Sequence, residues 1–196
     1  NYLHALIQYN KALLQRNTLL KEQSRDASLF EALEMQLAMY GEQIFRKRKL
    51  LVEKLVPLFN QFHQQICCSA ESVNLHYISQ LEETPLDEKL RNTRERDWVI
   101  GYTTSGIHKD ELEMKLDDAL IRRVGSQGQQ KTYLIALKLA QYSLLAQQGT
   151  TAPLLLLDDI FDKLDADRVE QIVKLVSGDQ FGQIFITDTN RKYLDA

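Results

Sequence analysis

The chain has 196 residues, 44% of them hydrophobic, with 24 basic and 27 acidic side chains and a net charge of −3. That length and apolar content suit one large domain or two small ones and exclude a disordered tail, while no apolar run nears the roughly 20 residues that span a bilayer. A globally basic nucleic-acid binder is also excluded: residues 1–95 carry 12 basic and 12 acidic groups and residues 96–196 carry 12 and 15, so any such surface is a local patch.

The first residue is Asn1 and helical spacing is already under way there, so the chain reads as a piece of a longer protein. Leu3, Ile7, Leu14 and Leu20, with Leu6 and Leu13 alongside, predict a helix over 1–21. Residues 22–28 are polar and end it. Ser28 and Glu31 have the spacing of a capping box that opens a long second helix. Its apolar seam is Phe30, Leu33, Leu37, Tyr40, Ile44, Leu51, Leu55, Leu58, Phe62 and Ile66, with a double step across the basic run 46–49. The seam is about 55 Å long, and Pro57 is expected to kink it. The two helices predict an antiparallel hairpin lobe over 1–68.

Past residue 68 the period changes. Val73, Leu75 and Tyr77 alternate with polar neighbours, as do Leu112, Met114 and Leu116, and residues 98–103 are rich in β-formers. These predict strands of a small, largely antiparallel sheet, with 84–95 as a loop holding one helical turn. Tyr133, Leu134, Leu137, Ala140 and Leu144 predict a helix over 129–147. Residues 149–153 break it, 154–157 read as a strand buried on both faces, 165–176 as a helix capped by Asp165, and 183–187 as a strand. Helix, strand, helix, strand implies a right-handed crossover and a parallel sheet.

Two stretches carry chemistry. Gly125-Ser126-Gln127-Gly128-Gln129-Gln130-Lys131 opens a helix, where free backbone N–H groups and the helix dipole suit a phosphate. Leu154-Leu155-Leu156-Leu157-Asp158-Asp159 ends a strand in two carboxylates, a way to organise Mg²⁺ and water beside a nucleotide. Nowhere does the chain contain G-x-x-x-x-G-K-[ST]. Cys67 and Cys68 are adjacent and read as reduced thiols suited to the cytoplasm, and His4, His63 and His76 show no metal-ligand spacing with them, so zinc is not expected.

Five segments, in order, resemble the RecF family of bacterial recombination-repair ATPases. Residues 9–21 resemble its Y-x-x-x-L-x-Q-R-N-x-L-L-K helix, and Thr104-Ser105-Gly106-Ile107-His108-Lys109-Asp110-Glu111-Leu112 its T-x-G-P-H-R-D-D-L segment, with Ile107 in place of Pro. Residues 126–132 match the S-Q-G-Q-Q-R-T signature with Lys131 for Arg. Residues 155–159 followed by 164–168 resemble its Walker B and D-loop, and 183–189 the closing Q-x-F-I-T-T-T strand with Asp188 at one Thr.

The resemblance implies an α/β fold: over 69–196, part of an ABC-type ATPase head related to SMC heads, with the hairpin as second lobe. It implies ATP and Mg²⁺ as cofactors. Asp158 would organise Mg²⁺ through a water, and Asp159 would position or deprotonate the attacking water. Because Asp is shorter than the Glu usual there, slow hydrolysis is expected. Ser126, Gln127, Gly128 and Gln129 would meet the γ-phosphate of ATP held by a second protomer, with Asp165 at the same interface and Thr187 in the place of a switch residue. Such an ATP-dependent homodimer would hold duplex and gapped DNA, with RecR, RecO and RecA as partners. Arg46, Lys47, Arg48 and Lys49 are candidate phosphate contacts, although only two or three can face one duplex and Glu42 and Glu53 can pair with them. His108 is read as structural. Without a phosphate loop, these residues alone are expected to be inactive. An SMC-like head fragment and a nucleotide-independent helical interaction module stay open as alternatives.

Overall fold

A computed structural model describes residues 1–67, 71–149, 151–178 and 180–187. Cys68, Asp188 and Thr189 lie outside them. In chain order the elements are α1 (Tyr2–Lys21), α2 (Ala27–Cys67), β1 (Val73–Ile78), α3 (Leu86–Ile100), β2 (Glu111–Leu116), β3 (Ala119–Leu120), α4 (Ile121–Val124), α5 (Gln127–Gln148), β4 (Leu155–Asp158), α6 (Ala166–Val176) and β5 (Ile184–Thr187). Strands β1, β2 and β3 form one sheet in that order, β2 and β3 antiparallel. Strands β4 and β5 pair in parallel, as the crossover predicts. Among the described residues no helix is long and apolar enough to cross a membrane.

The chain divides into two compact units, Asn1–Val52 with Tyr77–Leu112, and Glu53–His76 with the chain from Glu113 onward. These boundaries differ from 1–68 and 69–196. Helix α2, 41 residues long, runs on through Pro57 and belongs to both units.

In the first unit α1 and α2 do form an antiparallel hairpin: Arg16 meets Glu34, and Tyr2 meets Arg48. The buried face of α1 is Ala5, Tyr9, Ala12, Arg16 and Leu20, steps of three and four. Leu3, Ile7 and Leu14, which reveal the helix in the sequence, are 61%, 55% and 69% exposed. The inward face was masked because Tyr9 and Arg16 bring polar tips into the core. Gly41 on α2 admits this face, since a Cβ there would stand 2.7 Å from Leu86 Cδ2 and 3.4 Å from the Tyr9 ring.

Two further expectations are corrected here. The N–H of Ser28 and of Leu29 both donate to Asp26 Oδ1, at 3.1 and 3.2 Å, so Asp26 rather than Ser28 supplies the side-chain cap of α2. Residues 86–100 are a helix, not a loop followed by a strand. Leu86, Leu90 and Asp97 are buried, Val99 is exposed, and Gly101 closes the helix in the left-handed region at φ 82°. Trp98 packs edge-on against Phe30 with centroids 5.4 Å apart, and its indole N–H donates to Ser24 O. Tertiary packing overrode the β propensity of Trp98, Val99 and Ile100.

The first two RecF-like segments meet each other in this unit. Arg16, fully buried, donates to Asp97 Oδ2 at 2.8 Å, Thr103 Oγ1 at 2.9 Å and Glu34 Oε1 at 3.0 Å. Arg94 holds the same Glu34, and Asn17 Oδ1 accepts from Thr103 N–H at 2.8 Å. Gly106, at φ 135°, leaves room for the Tyr9 hydroxyl, which a Cβ would meet at 2.3 Å. That hydroxyl donates to His108 Nδ1 at 2.9 Å while His108 Nε2–H donates to Thr103 O at 3.1 Å. Both ring nitrogens are thus engaged inside the fold.

Burial lowers the His108 pKa, so the folded protein holds the ring neutral. The unfolded chain takes up that proton near pH 6.5, so in the window below this value it binds more protons than the folded state. Stability is therefore expected to fall as pH drops through about 6.5, and His108→Gln to flatten that part of the curve. Urea midpoints collected between about pH 7.5 and pH 5 check this; identical slopes for both proteins contradict it.

Candidate active site

The predicted nucleotide-contacting residues all lie in the second unit, on two surfaces. The first is the N-terminus of α5. Ser126 Oγ accepts from Gln129 N–H at 3.2 Å and Gln129 Oε1 accepts from Ser126 N–H at 2.8 Å, a complete capping box. The N–H groups of Gln127 and Gly128 belong to the first turn and have no helical acceptor. A Cβ on Gly128 would stand 2.9 Å from Lys163 O, so only glycine lets this turn approach the loop before α6. One open cleft is lined by Ser126, Gln127, Gly128, Gln129, Lys163, Leu164, Asp165 and Arg168. It gathers every residue of the predicted signature contact together with Asp165.

Asp165 also caps α6 through Oδ1, which accepts from Arg168 N–H at 2.9 Å. Its Oδ2 lies 3.3 Å from Arg168 Nε, while Arg168 Nη2 donates to Glu71 Oε1 at 2.8 Å and Nη1 to Thr132 Oγ1 at 3.3 Å. Arg168 thus joins α6 to α5 and to the segment before β1. The sequence names Arg168 only within a motif, and its partner Glu71 shows no local signal at all.

The second surface is the C-terminal end of β4 and β5. Asp158 stands opposite Thr187, and the Thr187 hydroxyl donates to Asp158 Oδ1. Asp159 follows at φ 49°, a left-handed conformation that Asp tolerates better than most residues. Its N–H donates to Thr187 O at 2.9 Å, and its carbonyl accepts from Lys131 Nζ. The backbone of Asp159 is therefore clamped on both sides while its carboxylate is exposed. Lys131, placed in the sequence only as the Lys of the signature, proves to tie the two surfaces together.

Asp158, Asp159 and Thr187 do not line the α5 cleft. The residues predicted to serve one nucleotide thus fall into two groups on one unit. Strand β4 also departs from expectation: Leu155 and Leu157 are buried, but Leu154 and Leu156 are 59% and 65% exposed, and Phe185 on β5 is 51% exposed. A parallel sheet normally has both faces covered. Here one face is bare among the described residues.

The basic run of α2 is dispersed. Arg48 Nη1 bonds Asp110 Oδ2 at 2.9 Å and Ile107 O at 2.8 Å, and Asp110 also accepts from Tyr77 OH. Residue 48 continues the inward steps Glu34, Leu37, Gly41 and Ile44, a spacing that marks it as an inward residue. Arg46 pairs with Glu42 at 2.6 Å, Lys49 with Glu82 at 3.2 Å, and Lys47 is exposed. Arg48 is therefore committed to the fold, whereas Arg46 and Lys47 point to the surface.

The absence of metal-ligand spacing around Cys67 is corrected. His63 and Cys67 are one helical turn apart, and Glu71 joins them after the helix ends, so that one ligand atom from each lies within 4.8 Å of the others. Burial, reinforced by the Glu71 charge, pushes the Cys67 thiol up to about 12. Burial lowers His63. Burial opposes ionisation of Glu71 too, but hydrogen bonds from Gln129 and Cys67 and the Arg168 charge outweigh it and hold this carboxyl below the usual range.

No protein-family model matches the chain. Among curated proteins it is similar to the DNA replication and repair protein RecF of Parabacteroides distasonis, 74% identical over 99% of this chain and 53% of that protein. It is 58% identical to the RecF of Bacteroides fragilis, with the same coverage of each. A solved structure of the recombination mediator protein RecF with ATP, in the RecFOR pathway, superposes with a TM-score of 0.81 at 28% identity, covering 98% of this chain and 54% of that one. The chain thus spans about half the length of the relatives it matches.

Proposed function

We propose that this chain, which belongs to the RecF family, supplies two faces of a composite ATPase site in a DNA-repair protein, one face to each of two nucleotides. The observation that carries this reading is that the α5 cleft and the exposed carboxylates of β4 are two different surfaces of one unit, with Lys131 reaching from one to the other. A site completed across a head-to-tail homodimer needs two such surfaces, because each protomer serves its own nucleotide with one and its partner's with the other.

At the strand surface, Asp158 is suited to hold Mg²⁺ through water, since its carboxylate is exposed at the end of a strand and oriented by the Thr187 hydroxyl. Mg²⁺ bound there would neutralise developing phosphate charge. Asp159 would accept a proton from, or aim, the attacking water, and Thr187 would report nucleotide occupancy through its bond to Asp158. At the cleft, the free N–H groups of Gln127 and Gly128 and the dipole of α5 favour a terminal phosphate, with the Ser126 hydroxyl and Gln129 fixing the turn. Asp165 would act across the same contact. The phosphate loop must come from residues that this sequence does not contain, which also accounts for the bare face of β4 and β5.

Association with duplex and gapped DNA, with RecO, RecR and RecA as partners in a cytoplasmic repair pathway, follows from the family reading. Arg46 and Lys47, exposed on α2, would be the residues of that run to touch phosphates.

Changing Ser126 to Arg in the full-length protein is expected to abolish ATP-dependent dimerisation without altering the monomer's thermal stability by more than a few degrees. Sedimentation with a non-hydrolysable ATP analogue measures this. Dimers that form as before remove the α5 cleft from the interface.

A further inference from the structure

We propose a binding site for a thiophilic divalent cation, of Zn²⁺ type, formed by His63 Nε2, Cys67 Sγ and Glu71 Oε2. Ligands about 2.0–2.3 Å from a tetrahedral ion stand about 3.3–3.6 Å from one another. Here Sγ lies 3.5 Å from His63 Nε2 and 3.4 Å from Glu71 Oε2, and the nitrogen and carboxylate oxygen are 3.9 Å apart. The three atoms already hold nearly the triangle that such an ion requires.

Ring packing and hydrogen bonds orient these side chains. His63 and Cys67 project from the last two turns of α2, and His63 is wedged between Phe59 and Tyr133, with ring centroids 5.9 and 6.1 Å away. Glu71 is anchored through its other oxygen: Oε1 accepts from Arg168 Nη2 at 2.8 Å and Gln129 Nε2 at 3.3 Å. That leaves Oε2 turned toward the thiol and the imidazole. Metal-ligating carboxylates are oriented by outer hydrogen bonds of this kind.

The donor set decides the metal class. One sulfur, one imidazole and one carboxylate suit Zn²⁺ or Co²⁺, while Mg²⁺ and Ca²⁺ prefer oxygen ligands throughout. Three protein ligands leave a fourth position for water or another donor.

The site lies directly behind the α5 cleft. Gln129 closes the capping box of that helix and Arg168 lines the cleft, and both grip Glu71. A cation sharing the carboxylate would weaken its hold on Arg168 and so adjust how firmly α5 and α6 are held. The site itself stands whether or not the cleft takes nucleotide.

The test uses the full-length protein, stripped with chelator and titrated anaerobically with Co²⁺. The expected result is a thiolate-to-cobalt charge-transfer band in the near ultraviolet with visible tetrahedral bands, displaced by Zn²⁺. Cys67→Ser is expected to lose the charge-transfer band and Cys68→Ser to keep it. Glu71→Gln should weaken binding by at least the roughly tenfold that even outer-shell changes cost. Far-ultraviolet circular dichroism confirms that each variant is folded. Absence of the band in the unmodified protein, or a band unaffected by Cys67→Ser, overturns the site.

Discussion

Replacing Arg16 with Met in the full-length protein is expected to reduce unfolding stability by about 3–5 kcal/mol, the loss typical when one partner of a buried charge network is removed. Arg16 is fully buried and touches two carboxylates, Glu34 and Asp97, which are themselves 3% and 0% exposed. Glu34 would keep Arg94, at 2.5 Å. Among the described residues Asp97 would keep the N–H and hydroxyl of Thr104, at 3.0 and 2.6 Å, and would lose its Arg16 ion pair inside the core. The cost arises from that abandoned charge rather than from any large net gain of the intact pair, so Arg16→Met combined with Asp97→Leu should lose much less than the sum of the two single changes. Urea unfolding followed by circular dichroism measures the cycle. A loss below about 1 kcal/mol for Arg16→Met would show that the network contributes little.

The second large effect concerns turnover. With Asp159→Asn, the full-length protein is expected to bind ATP and dimerise as before while phosphate release falls by about 100-fold or more, the scale of a lost general base. Asn is the informative replacement because the backbone at residue 159 is left-handed, with N–H bonded to Thr187 O and carbonyl to Lys131. Asn tolerates that conformation, so the change removes charge and basicity without releasing the clamp. Single-turnover phosphate release, with binding measured separately, distinguishes chemistry from affinity. Normal turnover would withdraw Asp159 from catalysis and leave it a turn residue.

Both outcomes bear on clusters of side chains that the fold assembles in different units. The Arg16 network joins residues far apart in sequence within the first unit: Tyr9, Arg16 and Asn17 come from the RecF-like segment at 9–21 and His108 from that at 104–112, while Glu34, Arg94, Asp97 and Thr103 lie outside both. Those segments therefore have a structural reason to exist independent of nucleotide. At the other two surfaces Ser126, Asp158 and Asp159 are exposed, and their local bonds cap α5 and set the end of β4.

What the sequence determined alone is what short-range forces decide. The cap at Asp165 forms among residues within one turn and occurs as read, whereas the capping box expected at Ser28 and Glu31 is found instead at Ser126 and Gln129. The parallel pairing of 155–158 with 184–187 follows from two apolar runs around a helix, with the acids at the strand end. The tertiary structure decided which surfaces face inward. Helix α1 turns Tyr9 and Arg16 into the core and leaves Leu3, Ile7 and Leu14 outside, because the buried partners Glu34, Asp97 and His108 come from distant positions. Residues 86–100 are helical because Trp98 finds Phe30, a contact that local β propensity cannot anticipate. Arg48 is taken by Asp110, and Glu71 completes a donor triangle with His63 and Cys67. Helix and cap signals depend on neighbours in the chain, whereas burial and charge pairing depend on groups that only folding brings together.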